Sequence, residues 1–169
     1  MIEPTFAACE LADRLAESGD TLDVLELATA VFVRNSELLR RRTDAYAELD
    51  QAEYLLLRTL DELGSADVGT LAGALGLDPS TVGRQGSVML GKGLVERTPS
   101  AADRRRSILT PTEEGRHRMR ATQARRRNAS AELLDDWSED ELRSFGSLLS
   151  RYNKAVAQRY LTASEERTD

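Results

Sequence analysis

Cysteine and histidine occur once each, as Cys9 and His117, tryptophan once, as Trp137, and aromatic residues make up only 5% of the 169 residues. One cysteine excludes an intrachain disulfide. One cysteine and one histidine exclude multi-cysteine metal sites and any chemistry that needs two imidazoles. No apolar run approaches the ~18 residues of a membrane span. The start, Met1-Ile2-Glu3-Pro4, lacks the basic and apolar regions of a secretory leader. These absences set the expectation of a cytoplasmic, non-secreted protein with neither metal nor cofactor.

What is present is charge and helix formers. Charged residues are 31% of the chain and the net charge is −6. That charge is unevenly spread: residues 1–66 carry a net −8, residues 67–127 a net +6 and residues 128–169 a net −4. A basic middle between acidic ends points either to a polyanion-binding patch or to a solvated basic helix. The length suits one compact domain, or one domain with an extra helical layer, and suffices for a core without disulfides.

Residues 1–18 read as an N-terminal extension or a short amphipathic helix around Phe6, Cys9, Leu11 and Leu15. Asp20 or Thr21 can cap the next helix, whose apolar residues Leu22, Leu25, Ala28, Phe32 and Leu39 recur at helical spacing to about Tyr46. Asp50-Gln51-Ala52-Glu53 is a capping box, with Leu49 placed as a staple against Tyr54 and Gly64 as the stop. Asp67 caps a short helix holding Leu71, Ala72 and Leu75. Gly76 closes it in the left-handed conformation, with Leu77 as the apolar contact beyond. Asp78-Pro79 opens another helix at once, since aspartate caps and proline suits the first helical position. Two helices across so tight a turn form a helix-turn-helix.

The second of these helices ends near Lys92-Gly93. Leu94–Thr98 reads as a strand, residues 99–104 as a turn and Arg105–Leu109 as the returning strand. A hairpin directly after a helix-turn-helix makes a winged helix. A long helix follows to about Asp135, capped by Thr110 or Thr112. Ser138-Glu139-Asp140-Glu141 opens the last helix, striped by Leu142, Phe145, Leu149, Tyr152, Val156 and Tyr160. The expected fold is thus mainly α with a small two-stranded β-wing.

On the Asp78–Lys92 helix, Val82, Gly86, Met89 and Leu90 fall on one side and should face the core. Ser80, Gly83, Arg84 and Ser87 fall on the other, a small polar face able to enter a major groove, where Arg84 can bond a guanine edge or a phosphate. Ser80 and Thr81 lie where helix N-terminal amides favour phosphate. Gln85 either reads adenine from the flank or is solvated. Arg104, Arg105 and Arg106 at a hairpin tip can reach a minor groove, and strand alternation sets Arg104 and Arg106 opposite Arg105. Most arginines from Arg116 to Arg127 read as solvated or paired with acidic neighbours.

The stretch from about Leu49 to Arg116 resembles the MarR family of winged-helix transcriptional regulators. The resemblance is carried by Leu71-Ala72, Leu75-Gly76-Leu77, Asp78-Pro79-Ser80-Thr81-Val82 and Lys92-Gly93-Leu94-Val95-Glu96-Arg97. Asp103-Arg104-Arg105 and Thr112-Glu113-Glu114-Gly115-Arg116 complete it. Gln85, Gly86 and Pro111 stand where the family usually has apolar residues, and its spacing to Gly115 favours Thr112 as the cap. The resemblance implies a winged helix-turn-helix over 49–111, a helical dimerisation layer from 20–48 and 112–162, and a frayed tail over 163–169. It further implies a homodimer on pseudo-palindromic double-stranded DNA, acting as an effector-responsive repressor, with Arg105 in the minor groove and Asp103 orienting it or the turn. It places a small-molecule cleft near Phe32, Tyr46, Tyr54 and Arg58. Cys9 reads as a packed thiol, since Glu10 opposes the thiolate that a redox sensor needs. A winged-helix module that binds a protein partner is the alternative function. An enzyme finds no support: there is no phosphate-binding glycine loop, nucleophile–base pair or metal cluster.

Overall fold

A computed structural model describes residues 20–100, 103 and 106–160. Cys9 and the N-terminal extension, Arg104 and Arg105, and the tail from 161 lie outside the described residues. The chain divides into two units, 1–44 and 45–169.

The described part of the first unit is one helix, α1 (Thr21–Arg42). The Asp20 carboxylate caps it by accepting from the Leu22 N–H at 2.8 Å, which settles the choice between Asp20 and Thr21. The helix stops four residues before Tyr46. Thr43 is extended there, and both its N–H and its hydroxyl donate to the Leu39 carbonyl, at 3.0 and 2.9 Å. Glu37 accepts from Arg40 and Arg41 on the last turns, and these bonds hold its carboxyl down at about 2. No residue of α1 is buried.

The second unit runs α2 (Gln51–Leu63), β1 (Ala66–Asp67), α3 (Val68–Leu75), α4 (Pro79–Gly91), β2 (Val95–Pro99), β3 (Ser107–Pro111), α5 (Glu113–Leu133) and α6 (Glu139–Tyr160). The caps are those of the sequence. Asp50 and Glu53 form the reciprocal capping box, and Asp67 accepts from the Thr70 N–H at 2.8 Å. Gly76 is left-handed at φ 63°, with Leu77 N–H donating to the Ala72 carbonyl, and Asp78 caps α4. Thr112, not Thr110, caps α5: its hydroxyl accepts from the Gly115 N–H at 2.9 Å and donates to the Gly93 carbonyl at 2.7 Å. Ser138 and Glu141 complete the box at α6.

The wing corrects the expected two-stranded hairpin. The sheet has three antiparallel strands in the order β1-β3-β2, with Ala66 opposite Leu109 and Asp67 opposite Ile108. β2 and β3 pair from Val95 with Pro111 to Pro99 with Ser107, so both strands sit one to two residues later than the pattern suggested. Pro111 ends β3 and is buried, filling the apolar role while needing no ladder donor there.

Leu56, Leu57 and Leu60 of α2, Leu71 of α3, Val82 and Met89 of α4, Leu94, Val95, Leu109 and Met119 form one core. Each such fully buried side chain contributes roughly 1.5–3 kcal/mol. Leu49 joins this core and Tyr54 packs against it, as the staple required. Leu77 and Leu90 do not: they are 39% and 40% exposed. Leu77 lies beyond the C-cap of α3, and Leu90 lies in the last turn of α4.

Candidate nucleic-acid interface

On α4 the division into two faces holds except at Leu90, which is exposed, and Gly83, which is half-buried. Val82, Gly86 and Met89 are buried, and Ser80, Arg84 and Ser87 are exposed. Gly86 is small for a reason. A β-carbon there would lie 2.9 Å from Cδ1 of Leu109, so α4 sits down closely on β3. The N-terminal amides are already used within the chain: the Ser80 N–H donates to Asp78 Oδ1 at 2.7 Å and the Thr81 N–H to the Asp78 carbonyl at 3.0 Å. The Ser80 hydroxyl, then its N–H, hold the Asp78 carboxyl below its ordinary range. Asp78 thus engages both of these amides and the Ser80 hydroxyl.

Gln85 is half-buried, and its Oε1 is withdrawn from solvent with no donor. Of the two readings of Gln85, simple solvation does not describe its Oε1. Ser87 is exposed, but its hydroxyl donates to the Gly83 carbonyl at 2.9 Å and accepts from Arg97 at 3.5 Å. Arg97 appears in the sequence only as part of the family pattern, since a single arginine in a strand does not announce a contact of its own.

At the wing tip the Ser100 N–H donates to the Arg106 carbonyl and the Arg106 N–H to the Asp103 carbonyl, each at 2.9 Å. Asp103 thus holds the turn through its backbone. Arg106 is ion-paired with Asp67, Nη2 to Oδ2 at 2.9 Å, across to the start of α3. The Thr70 N–H is the main cause that keeps the Asp67 carboxyl below its usual range, with Arg106 adding to it.

Of the residues expected at a small-molecule cleft, Tyr46, Tyr54 and Arg58 lie in the second unit and Phe32 in the first. Tyr46 and Tyr54 meet edge to face, with centroids 6.4 Å apart. Arg58 is instead near Asp61 on its own helix, at 4.0 Å. The cation beside the tyrosines is Arg126, whose guanidinium lies 4.7 Å from the Tyr46 centroid and 5.1 Å from that of Tyr54. Burial lowers the pKa of Arg126. Tyr54, Gln123, Arg126, Ser130, Leu134 and Leu142 line a cleft of about 430 Å³ there. Elsewhere on α5 the expected pairing occurs: Arg118 with Glu114 at 2.6 Å and Arg125 with Glu48 at 3.2 Å.

A helix pair across a left-handed glycine turn, a second helix with an exposed polar face, and an antiparallel wing define a winged helix-turn-helix protein. Residues 49–107 match the MarR family. The chain is 34% identical over 139 residues to the uncharacterized HTH-type transcriptional regulator YxaD of Bacillus subtilis (strain 168), covering 82% of this chain and 97% of that protein. It therefore belongs to the MarR family of DNA-binding transcriptional regulators. Its fold is similar to that of the PcaV transcriptional regulator of Streptomyces coelicolor in complex with its natural ligand. That likeness has a TM-score of 0.65 at 25% identity, over 78% of this chain and 92% of that one. A mutant MarR of E. coli complexed with operator DNA aligns with a TM-score of 0.63 at 20% identity, over 79% and 99%. Among the described residues no helix is long and apolar enough to cross a membrane, and no cluster of His, Cys, Asp or Glu is placed to hold a metal ion.

Proposed function

We propose that this regulator is a sequence-specific, effector-responsive repressor that binds a pseudo-palindromic operator as a homodimer in the cytoplasm, with no catalytic activity. The observation that carries this is the exposed face of α4, where Arg84 stands among the small side chains of Ser80 and Ser87, with Gly83 between them, beside the wing. So little bulk lets the helix approach base edges, and one arginine can bond guanine bidentately. Ser80 and Thr81 contribute hydroxyls, and Gln85 flanks them. Arg105 enters the adjacent minor groove, with Arg104, Arg106 and Asp103 completing the wing contacts. Residues 49–111 are the DNA-binding domain.

The helices over 20–48 and 112–162 form the dimerisation layer. No residue of α6 is buried, and Leu142, Phe145, Leu148, Tyr152, Val156 and Tyr160 are all exposed at helical spacing. A stripe of that kind needs a partner. The two-fold axis would set the recognition helices about one DNA turn, ~34 Å, apart. The cleft beside Tyr46 and Tyr54, with Arg126 over their rings, takes a small effector. The effector shifts occupancy only by its differential affinity for two dimer geometries. Light scattering on the free protein tests the dimer: two chains per particle, falling to one in a Leu148→Glu, Val156→Glu variant that still melts cooperatively. A monomeric wild type would overturn it.

A further inference from the structure

Arg97 of β2 and Arg106 at the start of β3 meet at a shallow recess of about 250 Å³, whose other walls are Asp67, Val68, Gly69 and Ser107. Arg97 stands opposite Leu109 in the ladder, so its side chain leaves the sheet on the face that packs on α4. Its guanidinium reaches the Ser87 hydroxyl, which is itself tied to the Gly83 carbonyl. Arg97 is therefore steadied at the seam between the exposed face of α4 and the wing, and among the described residues no carboxylate is paired with it. Arg106 is differently placed: Asp67 Oδ2 engages it while Asp67 Oδ1 caps α3.

We propose that this recess seats a backbone phosphate of duplex DNA, with Arg97 as the principal donor and Asp67 holding Arg106 partly out of that role. The proposal rests on the DNA-binding face described above. A helix in the major groove and a wing in the adjacent minor groove must straddle one sugar–phosphate strand, because that strand is the wall between the two grooves. The recess opens between the wing and the start of α3, and Arg97 joins it to α4 through the Ser87 hydroxyl, so Arg97 stands at the seam that a phosphate of that strand must pass. A guanidinium presents a planar fork of donors that matches phosphate oxygens.

A phosphate contact is blind to sequence, so it is read on a random-sequence duplex of about 30 base pairs, by anisotropy across a salt series. Arg97→Ala is expected to weaken binding roughly tenfold at low salt and to flatten the slope of log affinity against log salt by about 0.9. Arg97→Lys should keep most of that slope. Asp67→Asn keeps a competent N-cap, since asparagine caps as well as aspartate, and removes the charge facing Arg106. It is expected to bind more tightly with a steeper slope, a gain that a damaged fold cannot produce. The seat is overturned if the wild type binds steeply with salt while Arg97→Ala matches it in affinity and slope. It is equally overturned if Asp67→Asn melts like the wild type yet binds no more tightly. A wild type that binds no duplex at low salt overturns the DNA-binding face itself, and the seat with it.

Discussion

The backbone of Gly115 lies so close to the carbonyl of Leu94 that a β-carbon at position 115 would sit 2.0 Å from its oxygen. The same carbonyl accepts the Thr112 N–H at 3.1 Å. The start of α5 is thereby clamped onto the strand end that follows the recognition helix. Gly115→Ala must push backbone against backbone, which no side-chain rotation relieves. We expect a loss of stability above the roughly 1–3 kcal/mol typical of overpacking. Gly73→Ala, with open space around it, should instead gain up to about 1 kcal/mol of helix propensity. Urea denaturation of both variants checks the pair, and equal stability would contradict the clamp.

Glu53 is 5% exposed and is held from two sides. Its carboxylate accepts the Asp50 N–H of the capping box and a hydrogen bond from Lys92, the C-cap of α4. The first turn of α2 is thus tied to the end of the recognition helix. Lys92→Ala would leave a buried carboxylate short of a partner. The lysine is about half exposed, so water replaces part of the bond, and we expect a cost of about 1 kcal/mol, at the low end for such groups. Lys92→Arg should restore most of it. An unchanged denaturation midpoint in Lys92→Ala would show that the pair contributes nothing.

Acid should loosen the helix ends in a defined window. The Glu37 carboxyl is lowered from 4.5 to about 2 by bonds from Arg40 and Arg41. Glu141 is lowered by the Ser138 hydroxyl and N–H. A carboxyl whose folded pKa is depressed stabilises the fold above its ordinary pKa, and that contribution is lost as pH falls through the folded value. For Glu37 the window runs from about pH 4.5 down to about 2. The difference in melting temperature between the wild type and Glu37→Gln should therefore be present at neutral pH, shrink on acidification through that window, and diminish at high salt. A difference that grows as pH falls would contradict the assignment.

Local signals were the legible part of this fold. The capping box at Asp50 and Glu53, the Gly76 turn, Asp78-Pro79 and the Ser138 box all sit where the residues put them, because each depends on neighbours within four positions. What stayed hidden depends on contacts across the chain. β1 has only two residues and no period of its own. It exists because β3 offers an edge. The Glu53–Lys92 tie, the Asp67–Arg106 pair, and Arg126 over the two tyrosines join residues far apart in sequence. Leu90 matches an apolar stripe by spacing, yet a stripe does not reveal where its partner surface ends.

The most direct test of the account is anisotropy of the wild type, Arg84→Ala and Arg105→Ala on duplex from the gene's own upstream region, against scrambled duplex across a salt series. The account predicts one dimer per palindrome, a salt-steep affinity for the upstream duplex well above that for scrambled DNA, and a loss of about 1–3 kcal/mol of binding for each variant making a specific contact. Loss of Arg84 should narrow the preference for upstream over scrambled duplex. Equal affinity of the wild type for both duplexes, with neither substitution altering it, would contradict sequence reading by this face and leave a winged helix that engages a protein partner instead.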